Sequence, residues 1–263
     1  MLLALIVAAG VQPGWLQRNP DWVEPVEPLE LEEGVYYVGT RGLSSFLLTT
    51  PKGHVLIDSG LVEMPPLVAA SIEKLGFKVR DVKVIVPSHA HFDHVGGMAL
   101  MQRLTGAEVM AVGEDARALA TGVDNSALQG PGWEPVKVAR VLKDGETVTV
   151  GSRVLTAHLT AGHTRGCTSW STPLPRGLAV FVCSLTVNDD VKLRGNALYQ
   201  AIGDDYLRSL ATLRSLPAQY FFASHPYFFH LEEKRKAGKG FIDPAGYAAY
   251  LDGAEKKIKA LLE

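Results

Sequence analysis

The chain has no surplus of charge of either sign. Its 26 lysines and arginines against 28 aspartates and glutamates leave a net charge of −2 over 263 residues. It therefore lacks the basic field that holds nucleic acid. It also has no run of eighteen apolar residues, which excludes a membrane-spanning helix. Cysteine is nearly absent: Cys167 and Cys183 are the only two. Both fall in apolar or Thr/Ser-rich, strand-like stretches. Spacing alone leaves their separation open, and two buried free thiols are the expected state. No repeat of solenoid period is present. What remains, 47% apolar and 21% charged residues, is the composition of a globular protein with a sizeable core.

Met1 to Ala9 are almost all apolar and lead into Ala8-Ala9-Gly10. This reads as the h-region of a secretory signal peptide over residues 1–10, truncated because a positive n-region is missing. Export to the periplasm or the medium is expected. Residues 11–33, rich in Pro, Trp and acidic side chains, read as an irregular arm. A single domain is expected over 34–263. There, short β-branched or alternating runs (34–39, 45–50, 54–58, 82–87, 107–112) interleave with helical stretches at 65–75, 98–105 and 114–120. A second half adds strands at 146–150, 154–159, 168–171, 178–183 and 219–223. Helices are expected over 204–216, with Asp204 as candidate N-cap, and over 244–262, where Tyr247, Leu251, Ala254, Ile258 and Leu261 recur on one face. Strand–helix alternation of this kind makes sheets covered by helices, an α/β fold.

One segment stands apart from this pattern. Ser88-His89-Ala90-His91-Phe92-Asp93-His94-Val95-Gly96-Gly97 puts three histidines and an aspartate within six positions. Imidazole nitrogen and carboxylate oxygen suit zinc. His89 and His91, two apart, share a side if the chain is extended. A turn then lets Asp93 and His94 face a second point, so one loop can serve two metals. Gly96-Gly97 read as a sharp turn into the next helix. Four ligands do not complete two sites. His163, in Gly162-His163-Thr164, and His225, in Ser224-His225-Pro226, share the same context of apolar strand, ligand, turn. His54, His158 and His230 lack it and read as structural.

Together these segments resemble the metallo-β-lactamase superfamily, and within it the class B, subclass 3 (B3) β-lactamases. The likeness runs from about Gly34 to the C-terminus. It includes Cys183-Ser184-Leu185, where serine stands at the zinc-ligating cysteine position of other β-lactamase subclasses, as well as Gly195-Asn196 and Asp204-Asp205-Tyr206. The resemblance implies an αββα sandwich, two mixed β-sheets flanked by helices, with the metals at one edge. It implies two Zn2+ ions as cofactors: His89, His91 and His163 hold the first, and Asp93, His94 and His225 the second. A bridging hydroxide then attacks the β-lactam amide of penicillins, cephalosporins or carbapenems, with Asp93 orienting it. Ser184 and Thr186 are implied to bind the substrate carboxylate. Asp58 is implied to stand behind the metal loop. The loops Gly122–Trp133 and Val187–Gly203 would flank the cleft. A disulfide common in the subclass would need cysteines where Ala218 and Ile242 stand, so that bridge is absent.

The implied protein is a zinc hydrolase conferring β-lactam resistance, a monomer whose partner is a small-molecule substrate. The alternative is another hydrolase of the superfamily, cleaving lactones, thioesters or phosphoesters. Those relatives usually carry a metal-bridging aspartate on the strand that ends here at Val182-Cys183-Ser184, and Asp189 and Asp190 come too late to supply it. A non-catalytic metal-binding protein is a third reading, disfavoured by the intact set of six ligands.

Overall fold

The computed structural model describes residues 14–263; the signal segment expected over 1–10 lies outside them. Among the described residues, seven strands lie side by side in chain order in a first sheet: β1 (Leu29–Glu32), β2 (Val35–Tyr37), β3 (Phe46–Thr50), β4 (Gly53–Ile57), β5 (Val82–Val86), β6 (Glu108–Val112) and β7 (Val138–Leu142). The second sheet holds β8 (Thr147–Val150), β9 (Arg153–Leu159), β10 (Thr168–Leu174), β11 (Gly177–Val182) and β12 (Ala218–Ala223), in the order β12-β11-β10-β9-β8. Both sheets are mixed: β4 to β7 pair in parallel, as do β11 and β12, and the other pairs are antiparallel. The helices are α1 (Gly14–Arg18), α2 (Pro65–Lys74), α3 (Phe92–Val95), α4 (Met98–Thr105), α5 (Gly113–Thr121), α6 (Ile202–Ser215), α7 (Leu231–Ala237) and α8 (Pro244–Leu262).

The period-2 alternation of strands separates two cores. Phe46, Leu48, Val55 and Ile57 face the second sheet and pack with Trp170, Phe181 and Phe222. Leu47 and Leu56, on the opposite side of the same strands, pack with Val68 and Ile72 of α2 and Met98 and Met101 of α4. The second sheet is covered in turn by Tyr206, Leu210 and Leu213 of α6 and Tyr247, Leu251 and Ile258 of α8. The layers therefore run helix, sheet, sheet, helix, the expected αββα sandwich. Phe46 sits at its centre, within 5.0–6.1 Å of the rings of Tyr37, Phe181, Phe222 and Phe229. Truncating such a side chain costs about 3–5 kcal/mol.

Several expectations need correction. The cysteines are not free: Cys167 and Cys183 form a disulfide with Cα atoms 5.9 Å apart. The antiparallel register of β10 and β11, Trp170 opposite Phe181, brings the start of one strand beside the end of the other. The 11–33 arm is not wholly irregular, because it supplies edge strand β1. α6 starts at Ile202 after Ala201, with no side-chain cap, so Asp204 lies inside the first turn and acts on the helix dipole instead. Besides β1 and the short helices α1 and α3, two further elements escaped the sequence reading. In β7 three of five residues are exposed, and α7, Leu-Glu-Glu-Lys-Arg-Lys-Ala, is almost all polar, so neither shows a periodic apolar signal. α8 has the expected bounds, and Asp243 caps it by accepting from the Gly246 N–H at 2.8 Å. Near Ala218 and Ile242 the two segments are joined by backbone pairing, with the Asp243 N–H donating to the Gln219 carbonyl. No helix among the described residues is long and apolar enough to cross a membrane.

Candidate metal centre

The site gathers where strands of both sheets end. β5 stops at Val86, and Pro87 to His91, with bends at Ser88 and His91, lead to α3, which begins at Phe92. His91 is the residue before that helix, in extended backbone, and its carbonyl accepts from the N–H groups of His94 and Val95. His89 and His91 therefore project from the connection ahead of the helix, and Asp93 and His94 from the first helical turn. Gly96 and Gly97 form the expected tight turn, capping the end of α3 and the start of α4. Gly97 is required by close packing: a Cβ there would come within 2.6 Å of the Leu61 carbonyl oxygen. His163 follows Gly162, whose φ of +140° and contact with the Tyr206 ring leave no room for a side chain. This is a backbone region that only glycine visits easily. His225 comes two residues past the end of β12 at Ala223.

The donor atoms of His89, His91 and His163 lie within 4.8 Å of one another, as do those of His89, Asp93 and His94. His225 closes the second group. Asp93 Oδ2 is 3.2 Å from His94 Nε2 and 3.7 Å from His225 Nε2, and the two nitrogens are 3.4 Å apart. Tetrahedral zinc with bonds of about 2.0–2.1 Å places its ligand atoms about 3.3 Å apart. All six sequence-derived ligands thus converge. His54, His158 and His230 do not: His54 packs on Phe77, His158 bonds to Ser171 within the sheet, and His230 is exposed ahead of α7.

Each imidazole is anchored through its other nitrogen. Ser88 Oγ donates to Asp58 Oδ2 at 2.6 Å and lies 3.0 Å from His89 Nδ1, from which it accepts. His94 Nδ1 is 3.2 Å from the same carboxylate oxygen. His163 Nδ1 donates to the Thr186 carbonyl at 2.8 Å and His225 Nδ1 to the Gly42 carbonyl at 3.0 Å. His91 is the exception in orientation: its Nε2 meets Ser126 Oγ at 3.0 Å, which leaves Nδ1 for the cluster. Such partners fix ring orientation and tautomer around a metal. Asp58 stands behind the metal loop as expected, in left-handed backbone (φ 60°) where parallel strands β4 and β5 end.

The electrostatics also call for a cation. Burial alone would raise the Asp93 carboxyl, but His94, His225 and His91 outweigh it and hold it below the ordinary carboxylate range. Burial favours neutral His94, yet Asp93 and Asp58 raise it to about 10. Burial pushes His163 and His225 down to about 4 and His89 and His91 well below their ordinary value, so their lone pairs stay available. Five imidazoles, one ionised carboxylate and donor separations near tetrahedral fit a metal centre.

A family model, the metallo-beta-lactamase superfamily, matches residues 38–225. The chain belongs to that superfamily. Its structure superposes on native FEZ-1 metallo-beta-lactamase from Legionella gormanii with a TM-score of 0.87 at 38% identity, covering 91% of this chain and 96% of that one. BJP-1, a subclass B3 metallo-beta-lactamase of Bradyrhizobium japonicum, gives 0.84 at 34% identity, covering 92% and 98%. The resemblance to subclass B3 therefore extends over nearly the whole superfamily domain. Sequence comparison with curated proteins also finds acyl-coenzyme A thioesterase MBLAC2 of Homo sapiens, 28% identical over 52% of this chain and 56% of that protein. Hydroxyacylglutathione hydrolase of Rhodospirillum rubrum is 28% identical over 65% and 57%. The chain spans little more than half the length of these curated relatives.

Ser184 and Thr186 lie beside the superfamily cluster. Thr186 Oγ1 is 3.4 Å from His163 Nδ1 and 2.7 Å from Ser184 Oγ, which also accepts the Thr186 N–H. Ser184 is buried and Thr186 partly open, so Thr186 presents the pair to the cleft. Sequence reasoning missed three contributors. Asp115, fully buried, accepts from the N–H groups of Ala90 and Gly166 at 2.8 Å and from Thr164 Oγ1 at 2.6 Å. It thereby ties both histidine loops together, yet in sequence it is an ordinary acid in the first turn of α5. Asp124 accepts from the Ser126 and Gly130 N–H groups, shaping the loop whose Ser126 holds His91. The Asp-x-Ser spacing of an Asx turn is the signal that could have found it. Trp22, from the arm, packs 6.1 Å from the His225 ring and 6.2 Å from Phe92.

Proposed function

We propose that this protein hydrolyses the amide bond of β-lactams with two zinc ions. His89, His91 and His163 would hold one, and Asp93, His94 and His225 the other; the activity would confer β-lactam resistance. The observation that carries the reading is the hydroxyl pair Ser184–Thr186 past the end of β11, next to His163. Superfamily hydrolases of thioesters and phosphoesters usually carry a bridging aspartate on this strand. A carboxylate there would repel an anionic substrate, whereas hydroxyls donate to it. The 38% identity with FEZ-1 over nine-tenths of the chain supports the same substrate class.

Bound zinc would supply Lewis acidity and a water with its pKa brought near neutrality. The protein supplies the rest. Asp93, ionised and buried, accepts a hydrogen bond from the attacking water and sets its direction. Thr186, backed by Ser184, holds the substrate carboxylate. Ser88, Ser126, Asp58 and the carbonyls of Gly42 and Thr186 keep the five imidazoles from rotating. Trp22 and Phe92 wall one side of the cleft. A second reading, thioester hydrolysis, is favoured by the curated thioesterase relatives. The test is turnover of a carbapenem, a cephalosporin, an acyl thioester and a lactone by zinc-loaded protein, with and without chelator. Chelator-sensitive β-lactam cleavage is expected. Thioester or lactone cleavage without it would overturn the first reading.

The Cys167–Cys183 bridge adds to the apolar Met1–Ala9 segment in favour of export, because structural disulfides persist in oxidising compartments. Cell fractionation with mass measurement of the N-terminus tests this; an unprocessed cytosolic protein would refute it.

A further inference from the structure

Two long connections without helix or strand flank the cluster, residues 122–137 and residues 183–201. Loops of this length in a compact domain are commonly functional. One side chain reaches both. Arg165, two residues past ligand His163 and half-buried, donates through one terminal nitrogen to the Asn125 carbonyl and through the other to the Leu198 carbonyl. Its guanidinium also lies over the Tyr199 ring, 4.5 Å from the centroid. Tyr199 is fixed in turn: its hydroxyl donates to Asp205 at 2.6 Å, and Asn196 Oδ1 accepts from the N–H groups of Leu198 and Tyr199 at 3.0 Å. On the other lip, Asn125 sits between Asp124 and Ser126, which brace the loop and His91.

Arg165 thus joins the His163 loop to both lips at once. A planar fork of donors suits it to two carbonyls at once, with its face free to stack on an aromatic ring. A lysine carries the same charge but not the fork. We propose that Arg165 is a positioning residue that staples the two lips at a fixed separation, and so sets which size of substrate reaches the metal cluster. It touches no reacting atom; it acts through the loops. The substrate half of this inference rests on the β-lactam reading, whereas the staple itself does not.

The test compares zinc-loaded wild type, Arg165→Ala and Arg165→Lys by amide hydrogen exchange, zinc content and steady-state kinetics on a small penicillin and a bulky cephalosporin. In R165A the amides of Ser126, Leu128, Gly130, Leu198 and Tyr199 are expected to exchange about tenfold faster or more, because both loops open locally. Zinc content should stay at the wild-type level. KM for the small penicillin should rise several-fold, with kcat changed by less than about twofold and discrimination between the two substrates reduced. R165K should restore protection in at most one loop. Unchanged exchange in R165A would overturn the staple, and so would loss of zinc, which would place the effect on His163. If the wild type cleaves no β-lactam, the functional reading fails while the exchange result still decides the staple.

Discussion

Asp115 offers the sharpest test of how the cluster is held. It is fully buried, lies in α5, and binds no metal, yet its two oxygens take three hydrogen bonds from the loops that carry His89, His91 and His163. Asp115→Ala strands two backbone N–H groups and the Thr164 hydroxyl in a dry environment. Each buried donor left unpaired costs about 1–3 kcal/mol. Relief of the buried carboxylate returns part of that, so a net loss of about 4–6 kcal/mol is expected. For a chain of this size each kcal/mol moves the melting midpoint by about 2–4 °C, which makes the expected drop about 10–20 °C. Asp115→Asn is milder. Its amide oxygen can keep Ala90 and Thr164 while its NH2 faces the Gly166 N–H, so one donor is lost and the cost is about 1–3 kcal/mol. Because the loops also orient the ligands, zinc affinity should fall about 10- to 100-fold in D115A. Denaturant unfolding and competition with a chelator measure the two effects. A D115A variant within about 1 kcal/mol of wild type and with unaltered zinc affinity would refute the argument that this carboxylate joins the halves of the site.

Further outcomes follow from the same structure. Burial pushes the Asp115 carboxyl up to about 6 from 3.8, against its hydrogen bonds from Thr164, Ala90 and Gly166. The folded state then binds that proton more tightly than the unfolded chain. Its contribution is complete below about pH 4 and lost as pH rises through about 6, roughly 3 kcal/mol in all. The stability advantage of wild type over D115N should therefore be larger near about pH 4.5 than near about pH 7.5, and an advantage that grows with pH would reverse the sign of the argument. Asp93→Asn should lose zinc from the site it shares with His94 and His225, and turnover should drop about a hundredfold or more; full activity in that variant would show that Asp93 has been assigned the wrong role. Replacing Cys167 and Cys183 by alanine should lower stability by about 3 kcal/mol, the value for closing a loop near this length. Rapid reaction of both cysteines with a thiol reagent in unreduced native protein would contradict the bridge.

How far the sequence reveals the protein depends on how local each signal is. The six candidate ligands, which the fold brings together, were legible because each combines a chemically distinctive side chain with a simple context, the end of an apolar strand. The core strands and α8 were legible for the same reason: their periodicity is written in consecutive residues. β7 and α7 were not, because exposed polar elements carry no apolar pattern. The disulfide was not, because it depends on strand register rather than spacing. Asp115, Asp124 and Arg165 were missed for a third reason, though the Asx-turn spacing of Asp124 was a signal. Their types are common on surfaces, and only the fold shows that one is buried among backbone donors, another shapes a loop, and another spans two.

Supports like these explain why a cluster built from loops can be rigid. The ligands come from both halves of the chain, and so do their supports. His225 is held by the Gly42 carbonyl, while Ser44 and Ser224 join the same two segments by a backbone bond. Trp170 of β10 donates to the Pro87 carbonyl, and the Thr168 N–H donates to Ser88, immediately before His89. Asp58, at the end of β4, takes hydrogen bonds from Ser88 and His94. Each imidazole therefore leans on a segment other than its own. Five imidazoles converging without such supports would repel whenever protonated and rotate when neutral. With them, the rings stay aimed inward, and folding of the two sheets against each other assembles the centre.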